Sequence, residues 1–153
     1  MLKIPRKCSV TLSMILAAFF MVVLVVTAFY LPQLVHRFVD MRYPEGNMES
    51  WKPLVLTNGY LILAAGGMTD FFLCLLLLRV RKGQVFTAES VALVRGISWS
   101  AVLVGLLFIP LGRFFNMAYL IAFVTLYLGI SMRVVKNVIE EATAIKNEND
   151  LTV

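Results

Sequence analysis

A chain of 153 residues with 60% hydrophobic and only 15% charged side chains is not a water-soluble globular domain, since such domains run to about 45–50% apolar and about 25% charged residues. There is room for one membrane-embedded unit and for no separate soluble domain. The formal charge of +5 gathers at the ends of apolar stretches, without the basic, aromatic-interleaved surface that nucleic acid requires, and this excludes direct nucleic-acid binding.

Four apolar stretches organise the chain, at roughly 10–30, 54–78, 88–110 and 115–133. Each is near the ~20 residues that carry a helix across a bilayer core of ~30 Å. Lipid offers backbone N–H and C=O groups no partner, so only helices and closed barrels cross it. Unbroken apolar runs fit helices and not alternating barrel strands. The expected fold is all-α, an integral membrane four-helix bundle forming a single transmembrane domain over 1–153.

Lys3, Arg6 and Lys7 precede the first stretch. Its apolar core exceeds the ~7–15 residues of a signal-peptide core, so it is expected to stay in the membrane, uncleaved after Val26-Thr27-Ala28. Leu31, Leu34, Val35, Phe38 and Met41 then recur at helical spacing. They predict a short interfacial helix or a continuation of span one past Pro32, with a ligand-binding cap as the alternative. Tyr43-Pro44-Glu45-Gly46-Asn47 predicts a turn, and Tyr43 and Trp51 suit the headgroup level.

The second span carries Asp70 amid Ala64, Ala65, Gly66 and Gly67, small residues expected to let another helix approach closely. After it, Arg79, Arg81 and Lys82 lead to Gly83, a helix stop. Thr87 is the expected N-cap of the third span, with Glu89 in its positive first turn. Phe86 and Val91 occupy the positions of a hydrophobic staple. The third and fourth spans are joined by only Pro110-Leu111-Gly112-Arg113 and so should be antiparallel neighbours. Ser98, Ser100, Thr125 and Tyr127 add modest polarity, hydroxyls in spans usually bonding their own backbone.

Beyond Arg133, Val134, Val138, Ala142 and Ile145 recur every three or four residues. They predict that the fourth helix leaves the membrane as an amphipathic extension ending near Asn147, with an extended tail through Leu151, Thr152 and Val153. This stripe and tail are the candidate partner-binding residues, as a helix-in-groove ligand and an edge strand. Packing on the protein's own inner loop, a homodimer, or a disordered tail are the alternatives. The basic residues flanking the four spans lie on one side, which the positive-inside rule makes cytoplasmic, so both termini are expected inside.

Asp70 lies nine residues before Arg79, and so about 13 Å from that edge of the membrane. Arg95 lies eight residues after Thr87, at a depth of about 12 Å. Equal depth on neighbouring helices predicts an Asp70–Arg95 ion pair, either gluing the helices or serving a relay. Cys8 and Cys74 form no C-x-x-C and fit small apolar fillers. His36 is the lone histidine. With no metal constellation, nucleophile–base pair or phosphate loop in the sequence, neither enzyme activity nor a cofactor is expected.

Two segments, Phe86-Thr87-Ala88-Glu89-Ser90-Val91-Ala92-Leu93-Val94-Arg95-Gly96-Ile97 and Glu140 through Val153, resemble a family of small bacterial four-helix membrane proteins classed as a domain of unknown function. The shared features are a Phe-Thr start, Leu-x-Arg entering span three, and an acidic helix ending in Asp-Leu-Thr-Val. Many members carry Asn at the Ser90 position, which argues against a role for Ser90. The resemblance implies a multi-pass protein of the bacterial plasma membrane, encoded beside a small helix-turn-helix regulator of the Cro/C1 type as cytoplasmic partner. Two functions are therefore expected as rivals: a non-enzymatic tether for such a partner, or a small transporter, permease subunit or immunity-type protein working through Asp70 and Arg95.

Overall fold

The computed structural model describes residues 6–42 and 49–151. Four helices make up the described chain: α1 (Arg6–Arg42), α2 (Lys52–Arg81), α3 (Ala88–Leu111) and α4 (Met117–Leu151), with one 3₁₀ turn at Glu49–Trp51. No strand occurs among the described residues. All four helices are long and apolar enough to cross a membrane. Each packs chiefly against its neighbours in the chain, α1 on α2, α2 on α3 and α3 on α4. The helices so form an arc with α3 best covered: 28% of its most apolar stretch is buried within the chain, against 6% for α1. The outer faces present Leu12, Phe19, Phe29, Leu120 and Phe123 to the surroundings, an apolar coat suited to lipid and not to water.

The core sits where all four helices converge, at the end carrying the α3–α4 turn. Val55, Leu111 and Ala118 are buried there, with Val35, Phe108, Phe114 and Phe115 packed around them. Phe38 meets Phe115 edge-on at 5.7 Å and Trp51 lies 6.0 Å from Phe114. Lys52 bridges to Asp40 at 3.3 Å, tying the start of α2 to the last turns of α1.

Two prolines lie inside helices, Pro32 in α1 and Pro110 in α3. α1 thus continues unbroken through Pro32, and Pro110 belongs to the helix and not to the connecting loop. A proline cannot donate to the carbonyl four residues back, and in lipid a freed carbonyl needs another donor. Tyr60 supplies one: its hydroxyl donates to the Ala28 carbonyl at 3.4 Å, the group that Pro32 leaves open. Two residues earlier on α2, Asn58 donates its side-chain amide to the Leu107 carbonyl at 2.7 Å, beside the carbonyl that Pro110 leaves open.

The α2–α3 loop closes as its residues dictate. Gly83 takes φ +78°, the left-handed conformation that suits glycine. Its N–H donates to Val80 O and the Gln84 N–H to Arg79 O, which caps α2. Thr87 is the N-cap of α3, its hydroxyl accepting from the Ser90 N–H at 3.2 Å. Ser90, which the family resemblance left without a role, is fully buried, and its hydroxyl donates to the Gln84 carbonyl at 2.8 Å, locking the loop onto the helix. Arg79 pairs with Glu89 across the loop. Thr87→Ala is expected to cost about 1 kcal/mol, read as a lower thermal midpoint of the purified protein in detergent.

Candidate functional site

Backbone-to-backbone approach between helices falls at α3 and α4, and not at Gly66 or Gly67 of α2, although Ala65 beside them is buried. A Cβ on Gly129 would meet the Val102 backbone nitrogen at 3.0 Å and the Ser98 carbonyl at 3.2 Å. Gly105 and Gly112 are similarly tight against Leu126 and Tyr119. The Ser98 hydroxyl, buried, donates to the Gly129 carbonyl at 2.7 Å and fastens the seam. By contrast, a Cβ on Gly67 would meet nothing within 4 Å and one on Gly66 only Leu24 at 3.9 Å. Gly66 lines open space instead.

That space is a groove of about 410 Å³ bordered by all four helices, including Leu24, Gly66, Asp70, Ala101, Thr125 and Leu128. Its lining is apolar apart from Thr69, Asp70 and Thr125. Asp70 is 8% exposed, and its Oδ2 has no hydrogen-bond partner. Beside it, Thr69 donates to the Ser100 hydroxyl at 2.8 Å, and Ser100 passes a bond to the Gly96 carbonyl at 2.9 Å. These bonds join α2 to α3.

The structure does not bring Asp70 and Arg95 together. Arg95 bridges to Glu140 of α4 at 3.6 Å. Neither depth nor rotation pairs them: Thr69 meets Ser100 and Phe72 faces Gly96, which sets Arg95 about one turn from the level of Asp70. Arg95 shares its face of α3 with Ser98, Val102 and Gly105, the residues set against α4. Gly96 and Ser100 look toward Phe72 and Thr69 of α2. Glu140 also accepts a hydrogen bond from Lys136, one turn earlier. That bond, together with the charges of Lys136 and Arg95, holds the Glu140 carboxyl below its ordinary range. The Lys-to-Glu spacing of four on a helix is the sequence signal that marks this cluster.

Between α3 and α4 at this level lies a second cleft, of about 220 Å³, lined by Arg95, Ser98, Trp99, Arg133, Lys136 and Asn137. The Arg133 guanidinium lies over the Trp99 ring at 4.4 Å.

Past the cleft α4 continues to Leu151 as helix, beyond the expected stop near Asn147. At 35 residues it measures about 52 Å, well over a bilayer core. Val134, Val138 and Ile145 are exposed, while Ala142 is half-buried and Thr143 buried. The stripe therefore stands open except at Ala142. Thr152, Val153 and the expected turn over Tyr43–Asn47 lie outside the described residues. No group of three or more His, Cys, Asp or Glu side chains suited to a metal occurs among the described residues. Cys8 and Cys74 are not joined to each other.

Residues 35–153 match the model of a family described as protein of unknown function, DUF2975. The chain belongs to that family. The match begins within α1, so the apolar stretch up to Leu34 lies outside it. No curated protein and no solved structure matches the chain.

Proposed function

We propose that this chain is a non-enzymatic membrane tether that presents the free end of α4 to a cytoplasmic partner. The observation that carries the reading is the exposed row of Val134, Val138 and Ile145 on a helix too long for the bilayer. An apolar row on a solvated helix is what a helix-in-groove partner reads, by anchors spaced about one turn apart. The orientation that supports it is the one in which the basic ends of the spans face the cytoplasm of a bacterial cell, with both termini inside. The partner proposed is a small helix-turn-helix transcription regulator, held at the plasma membrane through protein contact. A second copy of the chain is the competing occupant of the row.

The experiment is in-cell crosslinking followed by purification of three forms: full length, cut after Ile145, and Val134→Asp with Val138→Asp. Coverage by a regulator predicts a DNA-binding protein with the full-length form and at least about tenfold less with the double variant. Identical cytoplasmic partners for all three forms sink the proposal, and a crosslinked homodimer lost in the double variant reassigns the row to self-association.

A second reading rests on a separate observation, the buried, unpartnered Asp70 carboxyl in the four-helix groove. Intramembrane ionisable groups of this kind mark substrate or ion routes, which fits a small transporter, permease subunit or immunity-type protein. Without an Asp70–Arg95 pair, that reading depends on Asp70 alone. It predicts activity that is lost on Asp70→Asn and survives removal of the α4 end.

A further inference from the structure

The α3–α4 cleft differs in chemistry from the Asp70 groove and is independent of the tether reading. Three of its six lining residues, Arg95, Arg133 and Lys136, are cationic. Among the described residues Glu140 is the one carboxylate bridged to them, so the cluster keeps a charge of three minus one, or +2. Arg133 follows directly on the apolar run of the fourth helix, so the cleft lies where that helix passes from apolar to charged sequence. Trp99 marks the same level, where the ring of tryptophan prefers to sit.

The cations are arranged and not merely near one another. The Arg133 guanidinium is held over the Trp99 ring, 4.4 Å from its centroid, and a guanidinium presents its N–H donors as a planar fork. Lys136 is held by Asn137 at 3.3 Å and by Glu140. Arg95 is held by Glu140 from the other helix. One turn deeper on the same helix faces, Leu103 and Ile130 are both exposed and apolar. The cleft therefore offers phosphate-binding donors at its rim and a hydrocarbon-compatible flank directly beneath.

We propose that this cleft is a binding site for the phosphate of an anionic phospholipid. Arg133, Arg95 and Lys136 surround the phosphate oxygens, and the acyl chains run along Leu103 and Ile130. Arginine suits the task because its planar fork meets two phosphate oxygens at once. Basic pockets between membrane helices at the headgroup level favour such lipids over zwitterionic ones. A soluble anion could supply the same phosphate chemistry; the apolar flank favours the lipid.

The test uses the full chain with Trp51→Phe, which leaves Trp99 as its single tryptophan, since the sequence holds two. The protein is placed in phosphatidylcholine vesicles with rising amounts of brominated phosphatidylglycerol, and quenching of Trp99 is followed. Arg133→Gln with Lys136→Gln is expected to raise the half-saturating lipid fraction by about tenfold or more. Arg81→Gln with Lys82→Gln removes the same charge from the α2–α3 loop and should change it by less than about twofold. Equal shifts in the two double variants mean diffuse attraction and overturn the site. Inorganic phosphate at millimolar concentration should not relieve the quenching; relief by phosphate makes this a soluble-anion site and overturns the lipid assignment. Should the cleft variant fail to fold, Arg133→Lys keeps the charge and loses the fork. It is then expected to weaken binding about threefold, and an unchanged half-saturation counts against the proposal.

Discussion

Gly129→Leu is expected to unseat α4 from α3 and to cost about 2–4 kcal/mol. The side chain has nowhere to go. Its Cβ would already press on the Val102 side chain at 2.7 Å and on backbone atoms of Val102 and Ser98. Backbone cannot step aside as a flexible side chain can, so the helices must separate. Separation stretches the 2.7 Å bond from Ser98 to the Gly129 carbonyl, an interhelical bond worth roughly 0.6 kcal/mol or more in a membrane. It also pulls apart the Arg95–Glu140 bridge farther along the same face. The measurement is the thermal midpoint in a fixed detergent, with Gly67→Ala as the comparison. Gly67 has open space around its would-be Cβ, so that change should fall within about 0.5 kcal/mol of the parent. Should the two glycine variants melt alike, the seam is not where the helices are held.

Asp70→Leu is expected to do the opposite and raise stability, by about 2–3 kcal/mol. The carboxyl is buried, its Oδ2 lacks a partner, and its surroundings include Leu24, Leu73, Ile97 and Leu128. Leucine is similar in size and lacks the polar cost, and the groove has room to take it. Asp70→Asn should recover only part of the gain, because the amide stays polar and still lacks a partner. The readout is the same thermal midpoint. A stability gain joined to loss of a transport or protection phenotype places function in the groove. A gain without such a loss leaves the α4 tether as the reading. A drop in stability contradicts the geometry, since it requires a partner for Asp70 that the four helices do not supply.

What could be read from residues alone was what hydropathy, caps and turns encode. The four spans, the Gly83 stop, the Thr87 cap and Glu89 in the first turn all follow from local chemistry and appear in the structure. Rotation about the helix axes did not follow. A water-soluble helix announces its inward face by an apolar stripe, but a membrane helix is apolar all round, because lipid and protein core make the same demand. Thus counting from the helix ends pairs Asp70 with Arg95, whereas the packed helices set them about a turn apart and aim Arg95 at α4. Of the small residues Ala64, Ala65, Gly66 and Gly67, Ala65 is buried but Gly66 and Gly67 stand open, the tightest seam lying at Gly105 and Gly129. Asn58 and Tyr60 carry no signal in the sequence for a related reason. Their value becomes visible only when the carbonyls beside Pro110 and before Pro32 are set opposite them. On α4 an apolar row reappears beyond Arg133, with Val134, Val138 and Ile145 exposed, while Thr143 and in part Ala142 are covered.

The arc of helices, each resting on the one before it, has a meaning for biogenesis. Every helix after the first finds its chain neighbour already made, so the protein can assemble in the order of its synthesis, with α3 gaining its closest partner when α4 follows. Contacts between chain neighbours close small loops and form fast. α3 ends up the most covered, held between α2 and α4 by the Thr69 and Ser98 bonds and the glycine seam, whereas α1, at the edge of the arc, rests chiefly on α2 and retains most of its apolar surface. α1 is consequently the piece easiest to exchange, the element through which two copies could trade helices or a foreign span could be admitted after the rest has set.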